Sequence, residues 1–261
     1  MMRPRAAFRL KFGVLLCTLA GLCIVAAKAE NRVTGYQELN PELQAMQDDP
    51  FMNPGMLWVS EGEELWSLSP GGGSKSCASC HGEASSMNGV AARYPAFDEQ
   101  SQSITDLTGR IMLCQSRHQK VEPYERESRE LLALTAFVSR QSSGMPIAPD
   151  ADPRLSPWRQ KGEALFQSRL GQLNLSCAQC HDDHAGQRLL GVLIPQAHPT
   201  GYPQYRLEWE GMGSLTRRFN NCLTGIRSTP FEAGSDEYMA LELYLMERAR
   251  GLPIEAPAIR P

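Results

Sequence analysis

Cys77-Ala78-Ser79-Cys80-His81 and Cys177-Ala178-Gln179-Cys180-His181 are two Cys-x-x-Cys-His runs standing 100 residues apart, and their reading decides the fold. Such a run is the attachment signature of a c-type haem. On one helical turn, positions i, i+3 and i+4 share a face. Two thiols can therefore join the two vinyl groups of one porphyrin while the adjacent imidazole ligates its iron. One run arises by chance; two in matching contexts form a strong signal. Cys77, Cys80, Cys177 and Cys180 are the expected attachment points, His81 and His181 the expected iron ligands, and two covalently bound haem c groups the expected cofactors.

The contexts repeat as well. Gly62-Glu63-Glu64-Leu65-Trp66 leads into the first run and Gly162-Glu163-Ala164-Leu165-Phe166 into the second, each reading as helix. Downstream, Leu107-Thr108-Gly109-Arg110 precedes Cys114 and Leu215-Thr216-Arg217-Arg218 precedes Cys222, a shared Leu-Thr-x-Arg-x-x-x-Cys pattern. Glu127 to Arg140 (Leu131, Leu134, Val138) and Asp236 to Arg250 (Met239, Leu243, Met246) carry apolar residues at helical spacing. Met145-Pro146-Ile147 and Leu252-Pro253-Ile254 close the halves. Internal repetition fixes architecture. With no β-rich run, the expected fold is all-α: two tandem cytochrome c-like domains, 59–148 and 149–261, each built around a covalent haem. The proline-rich segment from Ser142 to Pro157 joins them. Domains this small are marginal unless something else supplies apolar core, which haem does. Residues 30–58, interrupted by Pro41, Pro50 and Pro54, are expected as an N-terminal arm or short helix over the first domain.

Arg3, Arg5, Arg9 and Lys11 precede an uncharged apolar stretch from Phe12 to Ala27, and Ala27-Lys28-Ala29 supplies a small-x-small cleavage pattern. Residues 1–29 therefore read as a cleaved secretory signal, which implies a periplasmic protein. A lipid anchor on Cys23 is the weaker reading, because Leu22 stands where a small residue is expected. The apolar stretch is short for a membrane span, so none is expected in the mature chain. Losing residues 1–29 removes five positive charges and takes the formal net charge from −3 to −8. That balance argues against nucleic-acid binding and obliges any anionic substrate to find a local basic pocket. Of eight cysteines, two leave with the signal and four go to haem. Cys114 and Cys222 remain, and in an oxidising compartment two spare thiols ordinarily pair.

Histidine fills one axial position on each iron, and the other occupant decides the chemistry. Met112 and Met212, each 31 residues past its haem histidine, form a symmetric pair of the kind electron carriers use. His118, His184 and His198 have no counterpart in the opposite half. Cys114 and Cys222 both end the repeated motif, which a disulfide alone would not require. On a helix, Arg110 and Arg218 would share a face with the cysteine four residues on, favouring thiolate over thiol. Two readings stay open here: methionine-ligated haems with a Cys114–Cys222 disulfide, or thiolate ligation in both halves, which duplication favours.

Two haem motifs, a downstream cysteine for each, and Thr216-Arg217-Arg218-Phe219-Asn220-Asn221-Cys222 resemble the SoxA family. These are the dihaem subunits of the SoxAX cytochromes of bacterial thiosulfate oxidation, and the resemblance spans essentially the whole mature chain. It implies a heterodimer with a SoxX-type monohaem cytochrome and oxidative conjugation of thiosulfate to a cysteine of a SoxYZ-type carrier protein. That is L-cysteine S-thiosulfotransferase activity, with electrons passed to a downstream cytochrome. Carried over, His81 and Cys114 ligate the first haem, and His181 and Cys222 the second. Cys222, found in the family as a persulfide, and Arg218, the anion binder, are the catalytic pair. Arg217, Arg227 and Arg248 are further candidates for holding the dianion, and the first haem is expected to be structural. The alternatives are a plain dihaem electron carrier, with Met112 and Met212 as ligands and a Cys114–Cys222 disulfide, or a dihaem peroxidase, which needs an open sixth site. Trp58, Trp66 and Phe166 read as core aromatics, Met239 and Met246 as helix packing, and Asp182-Asp183-His184 as a solvated turn.

Overall fold

Polar residues and prolines start the chain's order. The computed structural model describes Met1, residues 32–72 and residues 75–261, so the expected signal lies outside the described residues except for Met1. Helix α1 (Pro41–Asp48) is capped by Asn40, whose side chain accepts from the Leu43 amide at 2.9 Å. Helix α2 (Gly55–Ser67) buries Val59, Gly62 and Trp66, and α3 (Cys77–His81) is the haem motif itself, capped by Ser76. A hairpin of β1 (Ala96–Asp98) and β2 (Ser103–Thr105) leads to α4 (Leu107–Cys114) and then to α5 (Arg129–Arg140). The second half repeats this: α6 (Ser156–Gln167), then α7 (Cys177–His181), capped by Ser176 in a capping box with Gln179. An added hairpin, β3 (Arg188–Leu189) and β4 (Val192–Leu193), comes next. Then follow β5 (Gln204–Arg206), β6 (Gly211–Gly213), α8 (Leu215–Gly225) and α9 (Asp236–Arg248). The chain finishes in β7 (Ala258–Arg260).

The all-α expectation needs correcting. Helices dominate, but three small sheets are present among the described residues: β1–β2, β3–β4, and β6–β5–β7 with β7 parallel to β5. Strands of two or three residues are too short to show alternation in sequence, which is why no β signal was visible.

Each half is framed by its first and last long helices, α2 on α5 and α6 on α9. Gly62 and Gly162 make these crossings possible, since a Cβ at either would run into the Ala133 or Ala240 carbonyl. The helix expected from Glu127 begins at Arg129 under a Ser128 cap, and the one expected from Asp236 to Arg250 ends at Arg248. Residues 32–261 form one compact unit. Its largest core cluster draws Val59, Trp66, Phe137 and Ile147 from one half and Met212, Ala249 and Ile254 from the other. The two closing tripeptides pair with each other: Ile147 N donates to Leu252 O at 2.9 Å and Ile254 N to Met145 O at 2.9 Å.

The arm departs from expectation. Only its end reaches the first half, where Trp58 lies under Arg129 at 4.7 Å, and the rest docks on the C-terminal tail and second-half loops. Val33 N donates to Gln196 Oε1 (3.0 Å), Asn53 Nδ2 to Pro257 O (2.9 Å) and Ile259 N to Gln47 Oε1 (3.0 Å).

Candidate functional site

Helix α8 positions the centre of the site. Its cap, Ser214, accepts from the Arg217 amide at 3.2 Å. Arg218 and Cys222 then follow one turn apart on one face. That face looks into a cavity of about 200 Å³, shared with Cys177 and His181 of α7 and walled by Phe166, Leu193, Leu215, Phe219, Leu241 and Leu245. Cys180 sits on the same helical turn as Cys177.

The imidazole is oriented. His181 Nδ1 lies 2.6 Å from Pro195 O, and a carbonyl only accepts, so Nδ1 carries the proton and Nε2 keeps the lone pair a metal takes. Burial lowers the His181 pKa, and the Arg218 and Arg248 charges push the same way, which favours the neutral ligand form. Burial pushes the Cys177 thiol up to about 11, and the Cys222 sulfur adds to it, so the two sulfurs sense each other across the cavity.

An apolar cavity with Cys177 on its wall, Cys180 on the same helical turn, an oriented imidazole and the Cys222 sulfur suits a haem. Among the described residues, no three His, Cys, Asp or Glu side chains are grouped to hold a bare metal ion. Two thiols on one helical turn, a neutral imidazole and a further sulfur are donors that fit iron carried in a porphyrin. The first half assembles the same donors. Cys77 is raised chiefly by burial and next by the charge of Cys114, and Trp66 lies 5.7 Å from the His81 ring.

The halves differ in what surrounds the arginine. Arg110 is held by Asp98 at 2.7 Å, and Arg117 binds the same carboxylate at 2.9 Å. The hydrogen bond from Arg117 foremost holds Asp98 well below the usual carboxylate range. Burial raises the Cys114 pKa and outweighs the lowering by Arg110 and Arg117, so the thiolate bias expected from the arginine is present but overridden. Arg218, by contrast, has no carboxylate within 4.0 Å among the described residues.

The disulfide alternative does not form: Cys114 and Cys222 are both free, each beside its own haem motif. Met212 is buried in the shared core on β6, 2% exposed, and is not part of the cavity wall, whereas Met112 lies on α4. Their equal spacing from the haem histidines is accidental, because the second half has gained residues around β3 and β4. His118 and His184 are exposed; His198 lines the cavity with Nδ1 2.7 Å from Val33 O. Asp182 pairs with Arg248 at 2.5 Å, a surface turn as expected.

Of the extra arginines considered, Arg227 is exposed, Arg248 stacks on Phe166 (4.7 Å) and Arg217 on Trp209 (4.4 Å). The wall instead carries Arg206, Arg260, Tyr202 and, from the arm, Glu38. Tyr202 is half-buried, and desolvation of its phenol lifts the pKa to about 12 against the pull of Arg218. A signal for it existed. Tyr94-Pro95 and Tyr202-Pro203 repeat at the 108-residue offset that also relates Arg110 to Arg218 and Cys114 to Cys222.

A family model described as the SoxA/TsdA cytochrome c domain matches residues 61–147 and 161–254. The chain is 38% identical, over 87% of its length and 80% of the relative's, to the L-cysteine S-thiosulfotransferase subunit SoxA of Pseudaminobacter salicylatoxidans. It is 32% identical to the protein of the same name from Paracoccus pantotrophus, over 87% of this chain and 78% of that one. The crystal structure of SoxXA from P. pantotrophus superposes with a TM-score of 0.84 at 32% identity, covering 88% of this chain and 87% of that one.

Proposed function

We propose, from the premise that this chain belongs to the SoxA/TsdA cytochrome c family, that it is the dihaem subunit of a thiosulfate-conjugating complex. Its partner is a SoxX-type monohaem cytochrome, its second substrate a cysteine of a SoxYZ-type carrier, and its compartment the periplasm. The observation that carries the reading is the convergence of Cys222, Arg218, His181 and Cys177 on one cavity.

Cys77, Cys80, His81 and Cys114 would hold one haem, and Cys177, Cys180, His181 and Cys222 would hold the second. When bound, haem supplies a one-electron route to an acceptor cytochrome, and a sulfur ligand sets its potential low. The chain's own residues do the rest. Arg218, unclaimed by any carboxylate, presents two parallel N–H donors to the sulfonate end of thiosulfate. The outer sulfur then lies toward Cys222. A sulfur–sulfur bond forms between them as two electrons leave, giving a thiosulfonate on Cys222. The carrier's thiolate attacks that outer sulfur, the Cys222 bond breaks, and Cys222 departs as thiolate or persulfide, ready for another cycle.

Replacing Cys222 by alanine tests this. The complex is expected to lose conjugation, read as the mass added to the carrier, while the intact mass of the subunit still includes two haems. Retained conjugation would dismiss the mechanism.

A further inference from the structure

The two equivalent hairpins share a register: Asp98 pairs with Ser103 across β1–β2, and Arg206 with Gly211 across β5–β6. Each of these residues stands 12 positions ahead of its motif arginine, Arg110 or Arg218. The duplication has therefore placed opposite charges at one structural position. In the first half the result is closed. Asp98, its side chain 4% exposed, pairs with both Arg110 and Arg117, so the motif arginine of this half already has a buried anionic partner.

In the second half the corresponding residue is itself a cation. The Arg206 side chain is 7% exposed; its Nε donates to Pro261 O at 2.7 Å and its guanidinium stacks 5.1 Å from the Trp209 ring. Its one side-chain carboxylate partner among the described residues, Glu208 at 2.9 Å, is 61% exposed and so largely screened by water. Arg218 faces the same cavity without a carboxylate of its own. A third cavity arginine, Arg260, is already bound to Glu255. Burial and the Arg218 charge both lower the Arg206 pKa, while Cys222 acts in the opposite sense, so all three groups are mutual neighbours. Two like charges withdrawn from water cost free energy until an anion joins them.

We propose that Arg206 and Arg218 together hold the sulfur oxyanion beside Cys222, and that the exchange of Asp98 for Arg206 confines anion binding to the second half. The inference rests on the thiosulfate-conjugating reading and adds to it a second guanidinium and the origin of the asymmetry. One fork engages two oxygens of a sulfonate; a second from another strand fixes its rotation and aims the outer sulfur.

The test uses R206Q and R206K in the intact heterodimer, with conjugation to the carrier followed by mass. R206Q is expected to raise KM for thiosulfate by at least about tenfold, with kcat changed far less, as loss of a charge-assisted pair predicts. R206K should recover most of that loss, with both haems attached and the thermal midpoint unmoved. A KM unchanged in R206Q overturns the proposal. So does an unchanged KM with a shifted potential of the second haem, which assigns Arg206 to a haem carboxylate. If R206Q does not accumulate folded, R206K decides: loss of the planar fork should raise KM about threefold, and no change overturns the idea. A wild-type complex inactive toward thiosulfate would instead sink the parent reading. Calorimetric titration with thiosulfate would then still decide the anion site, by weaker binding in R206Q or by none.

Discussion

Arg110 and Arg218 occupy one place in a repeated motif and have different fates, because the residue across from each differs in charge. Asp98 neutralises the first, so an anion arriving there would have to displace a buried carboxylate. The Cys114 thiol, raised by burial, is in consequence poorly prepared to act as a nucleophile. Cys114→Met is therefore expected to leave the conjugation rate within about threefold of wild type while changing the visible spectrum of one haem only. Collapse of the rate in a folded protein would mean that the first haem takes part. That Cys177, His181, Arg218 and Cys222 would face one another was legible in sequence, because the Cys-x-x-Cys-His run and helical phase impose fixed spacings. Arg206 and Glu38 were not, because each reaches the cavity from a separate segment and its meaning depends on a neighbour remote in the chain.

Helix crossings set how closely each haem motif can approach its partner helix. Gly162 lies on α6 against the Ala240 carbonyl of α9, with the Tyr244 Cβ also near, so a methyl group there meets backbone, which cannot swing aside. Gly162→Ala is expected to destabilise the protein by about 1–3 kcal/mol through overpacking. Thermal unfolding of the holoprotein checks this, and a midpoint equal to wild type would mean that α6 and α9 slide apart freely. The long helices were readable from their apolar spacing, and their glycines from the repeat. The hairpins were hidden. Sheet β6–β5–β7 joins residues 204–213 to 258–260 through three-residue strands, a pairing that only tertiary contact reveals. The β3–β4 insertion also breaks the 100-residue repeat into a 108-residue one, which made Met112 and Met212 look equivalent when one is on a helix and the other in a core strand.

At the scale of the molecule, the segments that close the second cavity lie outside the matched family region. The arm supplies Gly35, Glu38 and Leu39, and the tail supplies Arg260 and Pro261. Gln47 ties them together, accepting from Arg260 Nη1 at 2.8 Å as well as from the Ile259 amide. No part of the haem motifs predicts such a clasp; it reflects the need to shield an apolar wall at the end of a duplicated fold. Its weak point is Glu38. Burial foremost, reinforced by Glu255 and opposed by Arg260, pushes its carboxyl up to about 7. A carboxyl whose pKa is higher folded than unfolded binds its proton more tightly in the folded state. The associated stability is complete below the unfolded value and fades as pH rises through about 7. Glu38 is only half-buried, so solvent reduces the effect to the order of 1 kcal/mol. The holoprotein should therefore lose thermal midpoint between pH 5 and pH 8, and Glu38→Gln, which cannot ionise, should lose less over the same interval. Arm protection in hydrogen exchange should follow the same pH course in wild type and flatten in the variant. Equal pH slopes for the two proteins would show that the carboxyl titrates in water, with the arm held by Gln47, Asn53 and its other hydrogen bonds.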